Sequence, residues 1–400
     1  FPLFLLGAIF GKVMQETRSA EVIATGIIER LGAARSAVAV VGACAVLTYG
    51  GVSLFVVAFA VFPVAASMFV RADIPKRLIP AAIALGAFTF TMTALPGTPQ
   101  IQNAIPAPYF GTDSFAAPVS GLLAAVVIAA FGLWWLRWRV ASAATRGEGY
   151  GEDDAFSARG GEVGAGKADQ PSLLTAFAPI AIVILGNLIF SRLLLPLLDT
   201  SYLAEDFYGN ASLDDVRGIW ALIAALALAI LAAIALNYRR LESINETVKD
   251  GVNASFLPIF NTSSEVGYGT VIASLSAFVV LRDAVVDIAP GYPLVSQAIA
   301  VNILAGITGS ASGGMSIALE ALGDQYLQMA IENDVSPELL HRVAALASGG
   351  FDVLPHNGAV ITLLAITGLT HQKSYGDIFM VAVVGPVLGL LAVLALSMAV

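Results

Sequence analysis

Thr308-Gly309-Ser310-Ala311-Ser312-Gly313-Gly314-Met315-Ser316 interrupts a long apolar run in the second half of the chain, and Thr48-Tyr49-Gly50-Gly51-Val52-Ser53 interrupts one in the first. Short polar breaks at matching places in two halves of an apolar sequence point to a binding site lodged between related halves of a membrane carrier. The correspondence runs past these two tips. Glu16 precedes Val22-Ile23-Ala24 as Glu265 precedes Val271-Ile272-Ala273, 249 residues later; Gly50-Gly51 recurs as Gly313-Gly314 after 263 residues, and Leu95-Pro96 as Leu354-Pro355 after 259. Any one match is weak, but three in the same order indicate a duplication.

Composition fixes the class. The chain is 58% hydrophobic, with mean hydropathy +0.83 and 12% charged residues, against about 25% charged in a soluble domain. Runs such as Val119 to Trp135, Leu173 to Phe190 and Ile219 to Leu236 are apolar on every face, not alternating as in a β-barrel, and approach the roughly 20 residues that cross a bilayer core. The expected fold is an all-α polytopic membrane protein of two inverted-topology repeats, each with a re-entrant helical hairpin and a proline-broken transmembrane helix. A net charge of −9 argues against nucleic acid as a partner. The single cysteine, Cys44, excludes an internal disulfide and a thiol-rich metal site. Phe1 opens inside an apolar run, so a preceding segment is expected.

Lys and Arg mark cytoplasmic loops. They cluster at Arg71, Lys76 and Arg77, at Arg137, Arg139, Arg146, Arg159 and Lys167, and at Arg239, Arg240 and Lys249, whereas Asp199 to Asp215 is acidic without them and should face outward. The chain then divides into a first repeat at 1–140, a flexible Gly-rich cytoplasmic linker at 141–172, a connecting transmembrane helix and external loop at 173–216, and a second repeat at 217–400. Ser36 to Val70, 35 residues long, is too long for one span and short for two, so a hairpin entering from the cytoplasm is expected. Its counterpart has arms at Leu294 to Thr308 and Met315 to Leu322, about 22 Å and 12 Å long at 1.5 Å per residue. The second arm exits among acids, so this hairpin should enter from outside.

Two further breaks are expected at Ala94 to Gln100 and Asp352 to Gly358, because proline removes a helix donor and clashes with the preceding turn. Irregular backbone at membrane depth survives only where protein or a water-filled cavity satisfies it, and four such breaks meeting at the midplane would line one cavity. Segments starting after Gly51, Pro99, Gly314 and Pro355 should present helix N-termini, which attract anions. The expected substrate site therefore comprises Thr48, Gly50, Gly51, Ser53, Thr98, Gln100, Asn103, Ser310, Ser312, Gly313, Gly314, Ser316, His356 and Asn357, with Thr93 as a further hydroxyl. The alternative for each small residue is close helix packing.

Ionisable groups at depth are functional candidates. Asp352 and His356, four apart, would share a helix face and form a proton-coupling pair; the structural alternative is a cap and a satisfied carbonyl. Glu16 and Glu265 recur at equivalent positions and are a second coupling pair, with an interfacial location as the alternative. Glu320 is a weaker candidate. Arg282-Asp283 and His341-Arg342 are expected at interfaces, without a role. Enzymatic readings find no zinc spacing and no phosphate-binding loop; Ser312 with His356 is the conceivable nucleophile and base. No cofactor or metal is expected.

Thr308 to Leu319, Leu354 to Thr362 and Ala94 to Asn103 together resemble the gluconate permease family of the ion transporter superfamily, and within it the D-β-hydroxybutyrate permease branch. The similarity spans essentially the whole chain. It implies a bacterial inner-membrane proton symporter of small hydroxylated monocarboxylates, D-3-hydroxybutyrate before a gluconate-type sugar acid. It also implies a homodimer with a scaffold and a mobile transport domain, and one or two helices before Phe1. A sodium-coupled carboxylate carrier is the nearest alternative and an anion channel the next.

Overall fold

Apolar sequence leaves backbone N–H and C=O groups no water to bond, so they pair along the chain as helices, and every regular element among the described residues is helical. The structure, a computed structural model, describes residues 1–31, 35–151, 170–208, 211–273 and 291–399, with Leu275 and Ala289. The first half holds α1 (Pro2–Glu16), α2 (Ser19–Leu31), α3 (Ser36–Tyr49), α4 (Leu54–Arg71), α5 (Ile79–Ala87), the short α6 (Phe90–Thr93) and α7 (Ala107–Phe110), and α8 (Pro118–Thr145). Two helices connect the halves, α9 (Leu173–Ile189) and α10 (Leu213–Asn237). The second half holds α11 (Ile244–Ala273), α12 (Pro293–Thr308), α13 (Ala311–Glu332), α14 (Pro337–Ser348), α15 (Gly358–Thr367), α16 (His371–Phe379) and α17 (Gly385–Ala399), the last two joined by a π-helical turn.

Five helical stretches are long and apolar enough to cross a membrane: Leu54–Arg71, Pro118–Thr145, Leu173–Leu197, Val216–Asn237 and His371–Met398. Their outer faces stay apolar, with Val119, Val126, Leu185 and Leu231 all more than half exposed. A soluble protein rarely leaves so much apolar surface uncovered; lipid covers it here. The chain is a multi-pass membrane protein.

Elements of the first half lie against elements of the second. α1 packs along α11, with Lys12 bonded to Asp250 and Ile9 facing Gly251. α8 runs antiparallel to α16 and α17: Arg139 meets Asp377, Ile128 and Phe131 face Gly385, and Ala124 faces Gly389. α3 packs on α5 as α12 packs on α14. The exit arm of each interrupted pair rests on the other half, α4 on α15 and α13 on α7.

Two sequence expectations need correction. The arm after the second tip does not stop near Leu322, because α13 continues to Glu332. Its acids do not end the helix: Glu320, Asp324 and Gln328 recur every four residues on an exposed stripe, opposite buried Leu319, Leu322, Tyr326 and Ala330, so they need not be buried. Likewise α8 extends through Thr145, and the start of the segment expected as linker is anchored. Arg77 bonds Glu148 at 2.5 and 2.9 Å, Tyr150 N–H donates to Asp73 at 3.0 Å, and Lys76 N–H donates to the Tyr150 carbonyl at 3.4 Å. Residues 152–169, including Arg159 and Lys167, lie outside the described residues, as do Arg282 and Asp283.

Arg77 also bonds Asp377 at 2.8 Å, and Arg139 and the Trp135 indole bond the same carboxylate at 2.6 and 3.1 Å. Asp377, 5% exposed at its side chain, thereby joins the loop before α5 to α8 and α16. Asp377→Ala leaves Arg139 without a carboxylate and Arg77 with Glu148 alone, and is expected to cost about 3 kcal/mol, read as a lower unfolding temperature in detergent. Glu148→Ala, at a solvent-screened position, is expected to cost under about 1 kcal/mol. The hydrogen bond from Arg77 holds the Glu148 carboxyl below its usual 4.5. The Glu148 contribution is therefore present above that pH and disappears as pH falls through the depressed value, so wild type and Glu148→Ala should converge in acid.

Candidate functional site

The first tip follows from glycine. Gly51 adopts φ +89°, a left-handed conformation that favours glycine, and brings the turn between α3 and α4 against Pro99 of the first break. Two hydrogen bonds stitch tip to break: Tyr49 Oη donates to the Pro96 carbonyl at 2.8 Å, and Gln100 Nε2 to the Thr48 carbonyl at 2.7 Å. Within the break Asn103 Nδ2 donates to the carbonyls of Thr98 and Ser114 at 3.1 and 2.8 Å. Thr48 and Thr98 are fully buried, and neither hydroxyl has a hydrogen-bond partner. Gly50 faces Ile180 of α9 so closely that a Cβ has no room.

The second tip is a tight helical hairpin. Gly309 at φ +64° ends α12, and Ser310 caps α13 by accepting the Gly313 N–H at 3.1 Å; Ser312 Oγ lies 3.4 Å from Ser310 Oγ. Gly314 lies directly on the backbone of Leu304 and Ala305, so the arms touch without side chains between them. The second break leans on this tip. His356 Nε2 donates to the Gly306 carbonyl at 3.0 Å, and Asn357 Nδ2 to the Gly309 carbonyl at 2.8 Å. Asn357 Oδ1 also caps α15, accepting the N–H groups of Ala359 and Val360 at 2.6 and 3.0 Å.

Each tip is thus paired with the break of its own half, and the two breaks approach each other where Gly349 faces Thr93. The expected helix starts are not equivalent. After Pro99 the chain makes only one 3-10 turn, Ile101–Asn103, because Pro106 and Pro108 follow at once and withhold the donors a longer helix needs. α13 starts at Ala311, so Ser312, Gly313 and Gly314 lie inside the helix instead of before it. Of the three long starts, α4 is the one whose cap residue, Ser53, makes no side-chain bond, leaving its first amides without an internal acceptor.

Asp352 and His356 do not share a helix face, since Phe351–Val353 is a 3-10 turn and Leu354 is extended; no ion pair joins them. Asp352 Oδ1 is buried without a partner. Glu16 is exposed and paired with Lys12 at 2.8 Å, and Glu320 accepts from Tyr109 Oη at 2.9 Å. The Glu265 side chain lies outside the described residues, its backbone being part of α11.

Sequence reasoning missed the residues that serve the breaks from a distance. His341 and Arg342, expected without a role, are fully buried: Asn103 Oδ1 accepts from Arg342 Nη1 at 2.8 Å and from His341 Nε2 at 3.4 Å, and His341 Nδ1 lies 2.6 Å from the Thr112 hydroxyl. Asn187 of α9 donates to Ser114 Oγ at 2.9 Å and leaves Oδ1 unpartnered. On α16, His371 Nε2 and Tyr375 Oη donate to the carbonyls of Pro355 and Val353 at 2.9 and 3.1 Å; their spacing of four on one helix is the signal that was available. A cavity of about 300 Å³ lined by Gln15, Glu21, Phe59 and Pro63, among others, contains none of the candidate residues.

Hydroxyls and amides converging on broken helices in an apolar bundle suit the passage of a small polar solute. The uncharacterized transporter YxjC of Bacillus subtilis (strain 168) is 46% identical over 394 residues, covering 96% of this chain and 83% of its own length. The chain belongs to that transporter family. No family model matches it. The transporter depends on the close approach at Gly314: Gly314→Val forces a side chain into the backbone of α12 and is expected to abolish transport, whereas at Gly358 a Cβ meets nothing within 4 Å, and Gly358→Ala should keep both a monodisperse elution peak and uptake. Asn357→Ala removes a cap and is expected to cost about 1–2 kcal/mol in thermal unfolding.

Proposed function

We propose that the protein is a secondary active transporter of the bacterial inner membrane that imports a small hydroxy-monocarboxylate by proton symport with alternating access. Within the transporter family the motifs at Ala94 to Asn103, Thr308 to Leu319 and Leu354 to Thr362 favour the gluconate permease group, with D-3-hydroxybutyrate ahead of a sugar acid, and a homodimer. The antiparallel packing of α8 on α16 and α17 supports two inverted repeats. The two interrupted helix pairs would then be hairpins entering from opposite faces.

The observation that carries this reading is the second break. His356 and Asn357 bind the hairpin carbonyls while Asp352 keeps a buried oxygen without a partner, so the group with free bonding capacity lies beside the element that must move. A proton on Asp352 would neutralise the buried carboxylate and turn that oxygen into a donor, permitting the break to rearrange. The uncapped start of α4 at Ser53 offers amides for the substrate carboxylate. A sodium-coupled carrier is the second reading, favoured by the unpartnered oxygens of Thr48, Thr98 and Asn187, since a hard cation takes oxygen ligands.

Uptake of labelled D-3-hydroxybutyrate into proteoliposomes at clamped voltage tests the proposal. An inward proton gradient should drive accumulation, unlabelled gluconate should compete weakly, and Asp352→Asn should abolish the gradient response while leaving counterflow. Accumulation that follows sodium and ignores the proton gradient would overturn proton coupling; flux without counterflow would indicate a channel.

A further inference from the structure

Arg342 is 0% exposed and uses all five of its N–H groups. Nε donates to the Ala116 carbonyl at 3.2 Å; Nη1 to the Thr93 carbonyl at 3.1 Å and Asn103 Oδ1 at 2.8 Å; Nη2 to the carbonyls of Ser114 at 3.5 Å and Ala116 at 2.8 Å. None of these acceptors is charged. Burying an arginine without a carboxylate is expensive unless every donor is satisfied, and here the satisfaction comes entirely from the other half of the chain. The nearby carboxylate of Asp113 is already engaged by Arg192 at 3.2 Å, Ser191 at 3.1 Å and the Phe115 N–H at 2.8 Å.

The acceptors have a pattern. Thr93 and Asn103 stand five residues to either side of Thr98, so one nitrogen, Nη1, closes the two ends of the loop that holds the first break. Asn103 passes the constraint inward by donating to the Thr98 carbonyl. The loop carries Gln100, which reaches the tip at Thr48, and the Thr98 hydroxyl, which has no partner. Gly121 of α8 lies against Arg342 and the Ala94 carbonyl with no space for a side chain, so α8 closes over the arginine.

We propose that Arg342 is a positioning residue: a clamp from the second half that holds the first-half break loop, residues 93–103, in the shape that presents Thr98 and Gln100. A lysine keeps the charge but offers three donors for five acceptor contacts, and its Nζ stops one bond short of the position of Nη1, so it cannot hold both ends of the loop and the Ser114 and Ala116 carbonyls together. The inference rests on the proposed transport only in assigning the loop to a carboxylate; the clamp itself is independent of cargo.

The test uses the full chain in liposomes. Thr98→Cys is introduced alone and together with Arg342→Lys, and maleimide modification is mapped by peptide mass, with the buried Cys44 as internal control. Loss of the clamp should speed modification at position 98 by about tenfold, equivalent to 1.4 kcal/mol of local opening, while Cys44 stays protected. No change at position 98, or parallel labelling of Cys44, would overturn the clamp. Arg342→Gln, which removes the cation and most of its donors but leaves in place the Asn103 side chain that bonds the Thr98 carbonyl, carries the same expectation should Arg342→Lys fail to insert. In uptake, Arg342→Lys should raise KM and leave the maximal rate per folded protein unchanged. If wild-type protein moves no hydroxycarboxylate, the cargo assignment falls and the labelling still decides the clamp.

Discussion

A backbone carbonyl freed inside an apolar bundle has no water to accept from, and that constraint organises this protein more than any single contact. Each break in a helix releases several such groups. Donors meet them one by one: Tyr49 at Pro96, Asn103 at Thr98, Arg342 at Thr93 and Ala116, His356 at Gly306, Asn357 at Gly309, Tyr375 at Val353 and His371 at Pro355. The polar residues of a sequence that is 58% hydrophobic are concentrated where the backbone requires them. What remains unsatisfied, including the Thr48 and Thr98 hydroxyls and one Asp352 oxygen, is then the material available for binding a solute or an ion.

The two breaks are satisfied by different means, although the segments around them correspond. The first is held across the halves, by a buried cation on α14. The second is held by neutral or titratable donors within it and on α16. A five-donor guanidinium fixes many acceptors at once, whereas two single bonds from His371 and Tyr375 hold less firmly. The second break is therefore the better candidate for movement, and it is the one that carries Asp352 and His356. The Asp377 tie completes the arrangement by binding α8 and α16 to the loop that leads into α5, so the rigid surroundings of both breaks are built from both halves.

Much of this was legible before any coordinates. Apolar runs on every face gave all-helical spans, because helices alone satisfy their own backbone; the proline pairs marked both breaks, and the Gly-Ser tips marked both turns. The sequence could not show where helices stop when acids fall on one exposed stripe, as in α13, nor that proline-rich sequence after Pro99 would allow only a single turn. It gave His341-Arg342 no role, because the acceptors that use them lie 229 and 239 residues away in the chain.

By itself, then, the sequence determined the class of the molecule, its helical segments and its interruptions, all of which depend on local hydrophobicity and backbone chemistry. Only the tertiary structure decided which break each tip serves, that Asp352 and His356 part company, and that Arg342 closes a loop some 240 residues earlier in the chain. Hydrogen bonds between distant segments depend on how helices cross, and no local pattern encodes the position of an acceptor contributed by another half of the fold.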